Sequence, residues 1–302
     1  MNPQWIADGI VAGAMIGLGA IGVTLTYSIL RFANFAHGEF ITFGAYATLF
    51  CAAAMGALAG GAREPLGPFS FGWGVLAAGL TAMLLTGVLA LALDAALFAR
   101  LREKGTAITA VMASFGASMA LRSLLEFFFS SRPAYFSREL QIALPVAPGI
   151  RVTPDQIALL GLTAVLVVLV HLLLTRTQIG RSMRAASENP QLACVAGIDV
   201  ARIIRFTWLL GGALACASGV MLGLVVQIRP FMGFDLLLPL FAAAILGGIG
   251  SVPGALAGGQ IVGLAEAASV QMLGAQWRAA VAFVLLAGVL LVKPRGLFGS
   301  KD

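Results

Sequence analysis

The sequence predicts an all-α fold, a polytopic membrane helical bundle, and three observations predict it. Positions 9–30, 40–62, 65–93 and 206–228 carry no charged residue. Across the chain only 11% of residues are charged while 60% are hydrophobic, too few charges to give soluble helices their polar faces. The apolar stretches also match the roughly 20 residues that a helix needs to cross the hydrocarbon core. The 302 residues form one transmembrane domain, 1–302, with no room for a sizeable soluble one. Glycines such as Gly13, Gly17, Gly19 and Gly22 inside apolar runs predict close helix packing, and they permit breaks where a cavity satisfies the backbone.

The elements follow in order. The first span covers about 5–30, with no positive region ahead of it, so it reads as a retained helix rather than a signal peptide. A short polar interruption, RFANFAHGE at 31–39, separates it from a second span at about 40–60. A linker with Arg63, Glu64, Pro65 and Pro68 leads to a third span at 73–99, closed by the charged run RLREK at 100–104. The fourth span is about 106–129. The stretch 130–155, with Pro133, Pro145, Pro148 and Pro154, reads as an interfacial segment rather than a crossing. The fifth span is 156–175, and a long basic interruption at 176–205 precedes the sixth at 203–227. The run 236–272 is too long for one simple helix. Pro253 and six glycines in 247–259 predict a break between apolar pieces 236–247 and 254–272. A last span covers 277–292. The total is nine membrane elements, or eight crossings if one of those pieces is re-entrant.

Charge sets the orientation. The ends at 31, 100–104, 176–205 and 293–301 hold 12 of the 19 Lys+Arg, and Arg63, Arg132, Arg138, Arg151, Arg229 and Arg278 lie on the other side. The first side is expected in the cytoplasm, with the N-terminus periplasmic and the C-terminus cytoplasmic. The +6 net charge therefore reads as membrane orientation, with anionic lipid as a partner and no nucleic acid.

Three groups of residues are candidates for function. Asn34, His37, Gly38 and Glu39 sit in the first break, where Asn34 suits an N-cap and Glu39 the positive end of the second helix. They either border a cavity or form a tight inner turn. Gly247, Gly248, Gly250 and Pro253 form the second break, which echoes the first; paired discontinuous helices of this kind border pathways in transporters. In 176–202, residues 181–187 form a short amphipathic helix, Glu188, Asn189 and Pro190 interrupt it, and a further helical turn stops at Gly197. That segment suits either docking on a cytoplasmic partner or a connector at lipid head groups. Among ionisable residues inside spans, Arg122 and Glu126 stand four apart and are expected to form an intramembrane ion pair. Asp94, His171 and Glu266 are further intramembrane candidates.

Several chemistries are absent. There is no GxxxxGK[ST] phosphate loop, no HExxH and no GxSxG elbow with a plausible partner set, and the two histidines and the scattered Cys51, Cys194 and Cys216 form no metal pattern. The chain is expected to be no enzyme and to bind no cofactor or metal.

The segments GLGAIGVTLTYSILRFANFAHGEFITFGAYAT (17–48), GRSMRAASENPQLACVAGIDV (180–200), GLVVQIRPFMG (223–233), ILGGIGSVPGALAGG (245–259) and KPRGLFG (293–299) resemble, in order, the branched-chain amino acid ABC importer permeases, of LivH type. The resemblance implies an ABC importer permease fold in the bacterial inner membrane. It implies a heterodimer with a homologous LivM-type permease subunit, two cytoplasmic ABC ATPase subunits that use ATP and Mg, and a periplasmic substrate-binding protein. It also implies that 176–202 is the coupling loop, with Arg181, Arg184, Ala185, Glu188, Asn189, Pro190, Ala193 and Gly197 at the ATPase. One departure is Ser187–Glu188, where many relatives carry Arg-Glu followed by Asp or Asn. Branched-chain amino acids are the implied substrates. Urea, short amides or another amino acid are alternatives, and an ion-coupled secondary transporter is a further one.

Overall fold

The computed structural model describes residues 3–58, 64–137, 141–293 and 296–298. Arg63, Arg138, Arg295 and Lys301 of the charge count, and Pro294, Arg295 and Gly299 of the terminal motif, lie outside the described residues. The chain is a helical bundle: α1 (Gln4–Leu30), α2 (His37–Leu58), α3 (Trp73–Leu93), α4 (Ala99–Lys104), α5 (Ala107–Phe129), α6 (Pro154–Arg176), α7 (Gln178–Glu188), α8 (Pro190–Val195), α9 (Val200–Val225), α10 (Met232–Gly247), α11 (Val252–Leu273) and α12 (Arg278–Val292). Among the described residues, seven helices are long and apolar enough to cross a membrane: α1, α2, the run from α3 into α4, α5, α6, α9 and the run 275–292 containing α12. α10 is apolar but shorter. α11 has the length, but its glycines, Gln260 and Glu266 dilute its hydropathy. These nine elements are the nine expected, and the break in 236–272 falls at 248–251, with Pro253 in the first turn of α11.

Among the described residues, strands form in one region. In 130–155, β1 (Leu144–Ala147) and β2 (Ile150–Val152) pair antiparallel about Gly149, whose φ is +81°. A bridge also joins Ala134 to Ile228, with N···O distances of 3.0 and 2.8 Å. Prolines at 145 and 148 and the β-branched Val146, Ile150 and Val152 favour this extended form over helix. Among the described residues, no helix long and apolar enough to cross a membrane lies between α5 and α6.

The core is built on α1 and α9, which are the most buried of the membrane-length helices. α1 and α11 run antiparallel with their backbones nearly touching. A Cβ at Gly13 would lie 2.8 Å from the Gln260 Cα, and one at Gly9 2.9 Å from the Leu264 Cα. Across the seam, Gly259 and Gly263 meet the backbones of Gly17 and Gly13. Small residues at these positions let van der Waals packing replace the hydrophobic drive that lipid does not supply. The outward flanks of α5, α6 and α12 carry exposed Leu, Val, Phe and Met instead, including Phe127, Val165 and Leu291.

The two ends of the bundle differ in charge. Arg31 bonds to the end of α7, Phe32 packs on Phe98 beside the basic 100–104 run, and Leu297 and Phe298 bond to the end of α10. This is the basic end. At the opposite end, Gln4 exchanges hydrogen bonds with the Arg151 backbone (2.9 and 2.8 Å), and Ser70 binds Asp155 through its backbone N–H and its hydroxyl. Glu266 pairs with Arg278 there at 2.7 Å. A π-helical turn at Asp94–Phe98 brings Asp94, at the foot of α3, against Arg102.

Candidate functional site

The first break is not a turn at the bundle's end. α1 ends at Arg31, which adopts the left-handed conformation (φ +60°, ψ +28°) and donates its N–H to the Tyr27 carbonyl at 2.9 Å. Residues 31–36 then run as a strap back into the bundle, over a reach of up to about 20 Å. Phe32, Asn34 and Ala36 are buried. The Phe35 N–H donates to the Ser114 hydroxyl (3.1 Å) about a third of the way along α5, and the Phe35 ring packs on Phe115 and Phe241. The Asn34 side chain accepts from the Ala36 N–H at 3.1 Å, an Asx turn that aims the chain into α2. Asn34 thus closes the turn at 34–36 three positions ahead of α2 and does not cap an N–H of the helix itself.

Glu39 lies in the first turn of α2 and is fully buried. Its Oε1 accepts from Ser118 (3.1 Å) and from the Arg122 Nε and Nη2 (3.1 and 2.7 Å). The Arg122 guanidinium lies over Phe234 and Phe231, 4.2 and 5.1 Å from their centroids. The expected Arg122–Glu126 pair is therefore not made. Helical side chains lean toward the N-terminus, so Arg122 reaches back to Ser118 and Glu39 and away from Glu126. A carboxylate with no access to water also has the stronger claim on a cation than the half-exposed Glu126. Beside Glu39, Gly38 packs against Gly233 of α10 so closely that the Gly233 Cα faces the Gly38 carbonyl, and the Gly233 N–H donates to Thr42 at 3.1 Å. His37 points the other way, into the notch left by Gly22 on α1.

The second break is a tight turn at the basic end. Gly248 and Gly250 take φ of +96° and +90°, a region open to glycine at no steric cost. Gly247 and Gly254 meet backbone to backbone, and the Ser251 hydroxyl caps α11 by accepting from the Gly254 N–H at 3.1 Å. The Gly250 N–H donates to Thr24 on α1 at 2.6 Å. Pro253 faces outward with His171 around a cavity of about 360 Å³ between α6 and α11. The two candidate sets are thus not one cluster. α10 separates Gly233, the neighbour of Gly38, from Gly247 by about 20 Å of helix.

The third set is a capped pair of short helices. Thr177 caps α7 by accepting from Gly180 N–H (3.1 Å), and Asn189 caps α8 by accepting from Gln191 and Leu192 N–H (3.0 Å each). Gly197, at φ +83°, closes α8, and Asp199 caps α9 by accepting from Arg202 N–H at 2.9 Å. Gly180, Met183 and Ala186 form the buried face of α7, leaving Arg181, Arg184 and Glu188 exposed and Ala185 half-buried. Asn189, Pro190 and Gly197 are exposed, while Ala193 faces inward. Sequence reasoning missed Leu192 and Val195, which stand exposed on α8; their i, i+3 spacing was the available signal.

The family described as "Branched-chain amino acid transport system / permease component" matches residues 5–292 of this chain. The chain belongs to that family. The permease is 31% identical over 305 residues to the High-affinity branched-chain amino acid transport system permease protein LivH of Escherichia coli (strain K12), covering 99% of this chain and 96% of the relative. It is 31% identical over 304 residues to the BraD protein of the same description from Pseudomonas aeruginosa, with the same coverage. It is 28% identical over 316 residues to the Probable branched-chain amino acid transport permease protein LivH of Methanocaldococcus jannaschii, covering 99% and 93%. The permease is a multi-pass membrane protein.

Proposed function

We propose that this permease is one membrane subunit of an ATP-driven ABC importer for branched-chain or related amino acids. A LivM-type permease subunit completes the membrane part, two ABC ATPase subunits bind ATP and Mg at the basic end, and a periplasmic binding protein delivers substrate to the other. In this reading the basic end is cytoplasmic, which the clustering of Arg31, Arg100, Arg102, Lys104 and the arginines of 176–205 supports. The segment 176–202 is the ATPase coupling loop, and the strap with Asn34, His37, Gly38 and Glu39 borders the substrate route, as does the turn at Gly247, Gly248, Gly250 and Pro253.

The observation that carries the reading, beside the family, is the capped α7–α8 pair. Every orphan end in 177–199 finds a side-chain or glycine closure, so the segment moves as a body, as a part that transmits force must. It offers Arg181, Arg184, Glu188, Leu192 and Val195 outward to a partner.

The test is leucine uptake and ATP hydrolysis in proteoliposomes holding this chain, its partner permease, both ATPases and the binding protein. Uptake should require ATP, and Glu188→Ala and Gly197→Pro should lower uptake more than hydrolysis. ATP-driven uptake of urea, a short amide or another amino acid would replace the substrate and keep the mechanism. No ATP-dependent flux from an intact complex would overturn the reading.

A further inference from the structure

We propose that the Arg31 side chain is a positioning residue that ties α7 to the strap, so that displacement of the coupling loop is carried directly to Glu39, Arg122 and α10; this rests on the coupling role proposed above. Its guanidinium Nη2 donates to the carbonyls of Ser187 (2.6 Å) and Glu188 (3.1 Å), the last two residues of α7. Helix C-terminal carbonyls lack partners within the helix and carry partial negative charge, so a guanidinium is well matched there. α1 does not need this side chain, because the cap at its end is made by the Arg31 backbone N–H alone.

The other end of the strap is fixed as firmly. Phe35 N–H is bonded to Ser114, Glu39 is held by Ser118 and Arg122, and Gly38 is pressed on Gly233. Between the Arg31 and Phe35 anchors lie only residues 32–34, with Phe32 and Asn34 buried, so the strap has little length to give. A shift of α7 must therefore either pull the strap or break the Arg31 bonds. The left-handed backbone of Arg31 supplies the second state: a non-glycine residue held there relaxes to the commoner region once its holding contacts go. Coupling between distant sites requires such a two-state element biased from both sides, and contact alone is not enough.

The test uses the full complex. Arg31→Asn removes the guanidinium while keeping a residue that tolerates the left-handed conformation. Arg31→Lys keeps the charge but loses the planar fork. Amino acid transported per ATP hydrolysed should fall about tenfold in Arg31→Asn, with hydrolysis and complex yield held within about twofold, and Arg31→Lys should fall between. Hydrogen exchange in 32–40 should respond to nucleotide in the native complex and cease to respond in Arg31→Asn, while 178–196 still responds. An unchanged transport-to-hydrolysis ratio with a nucleotide-sensitive strap would overturn the proposal. So would uptake, hydrolysis and complex yield falling together, which marks a folding role. If no substrate were transported but the exchange pattern held, the substrate reading would fail and the role of Arg31 would stand.

Discussion

The two helix breaks solve one problem in opposite ways. The strap at 31–36 enters the bundle and satisfies its backbone with side chains from another helix, notably Ser114, and ends on a buried ion pair. The turn at 248–251 stays at the basic end and is closed by backbone: Gly247 against Gly254, Leu297 and Phe298 bonding to the last carbonyls of α10, and one hydroxyl from Thr24. Irregular backbone at membrane depth survives only where protein or a lined cavity supplies partners. A break made with side chains can exchange those partners, whereas a break made of interlocked backbone cannot. The resemblance between the two breaks in sequence therefore hides a difference in closure: side chains at the strap, interlocked backbone at the turn.

Substitutions separate the two designs, read as loss of helical circular dichroism on detergent titration. The largest effect is expected at the strap. Glu39→Ala strands the Arg122 guanidinium, whose side chain is only 13% exposed, and should cost about 3–5 kcal/mol. Adding Arg122→Met should restore most of that loss; no restoration would mean that the pair does not hold the strap. Next comes the turn, where Gly247→Val drives a side chain into the Gly254 backbone and should cost about 3 kcal/mol, with no rescue from any charge change. Ser251→Ala removes the cap of α11 and should cost about 1 kcal/mol, a loss that Asp at 251 avoids. The smallest effect belongs to Glu126→Gln, expected within about 0.5 kcal/mol of the parent. A loss of several kcal/mol there would return Arg122 to Glu126 and dissolve the contrast.

Much of this was legible in the sequence. Hydropathy runs, glycine and Pro253 located nine membrane elements and the second break, because insertion into lipid depends on local composition. The capped segment was legible too, since Asn189, Pro190 and Gly197 each act on backbone within a few residues. The partner of Arg122 was not, because Glu39 is 83 positions away on another helix and only packing decides between it and the nearer Glu126. The Arg31 contact was hidden for a different reason: its acceptors are carbonyls, and a carbonyl has no letter in the sequence. The hairpin at 144–152 escaped because three- and four-residue strands give too few alternations to register.

The glycine seam between α1 and α11 has a mechanical consequence. Two helices meshed through their backbones at Gly9, Gly13 and Gly17 on one side and Gly259 and Gly263 on the other cannot slip by a fraction of a turn. They can change register only in whole steps of about 5 Å, which would empty the seam. The pair therefore packs as one body. A cross-link joining positions 13 and 260 should leave transport by the proposed importer unchanged.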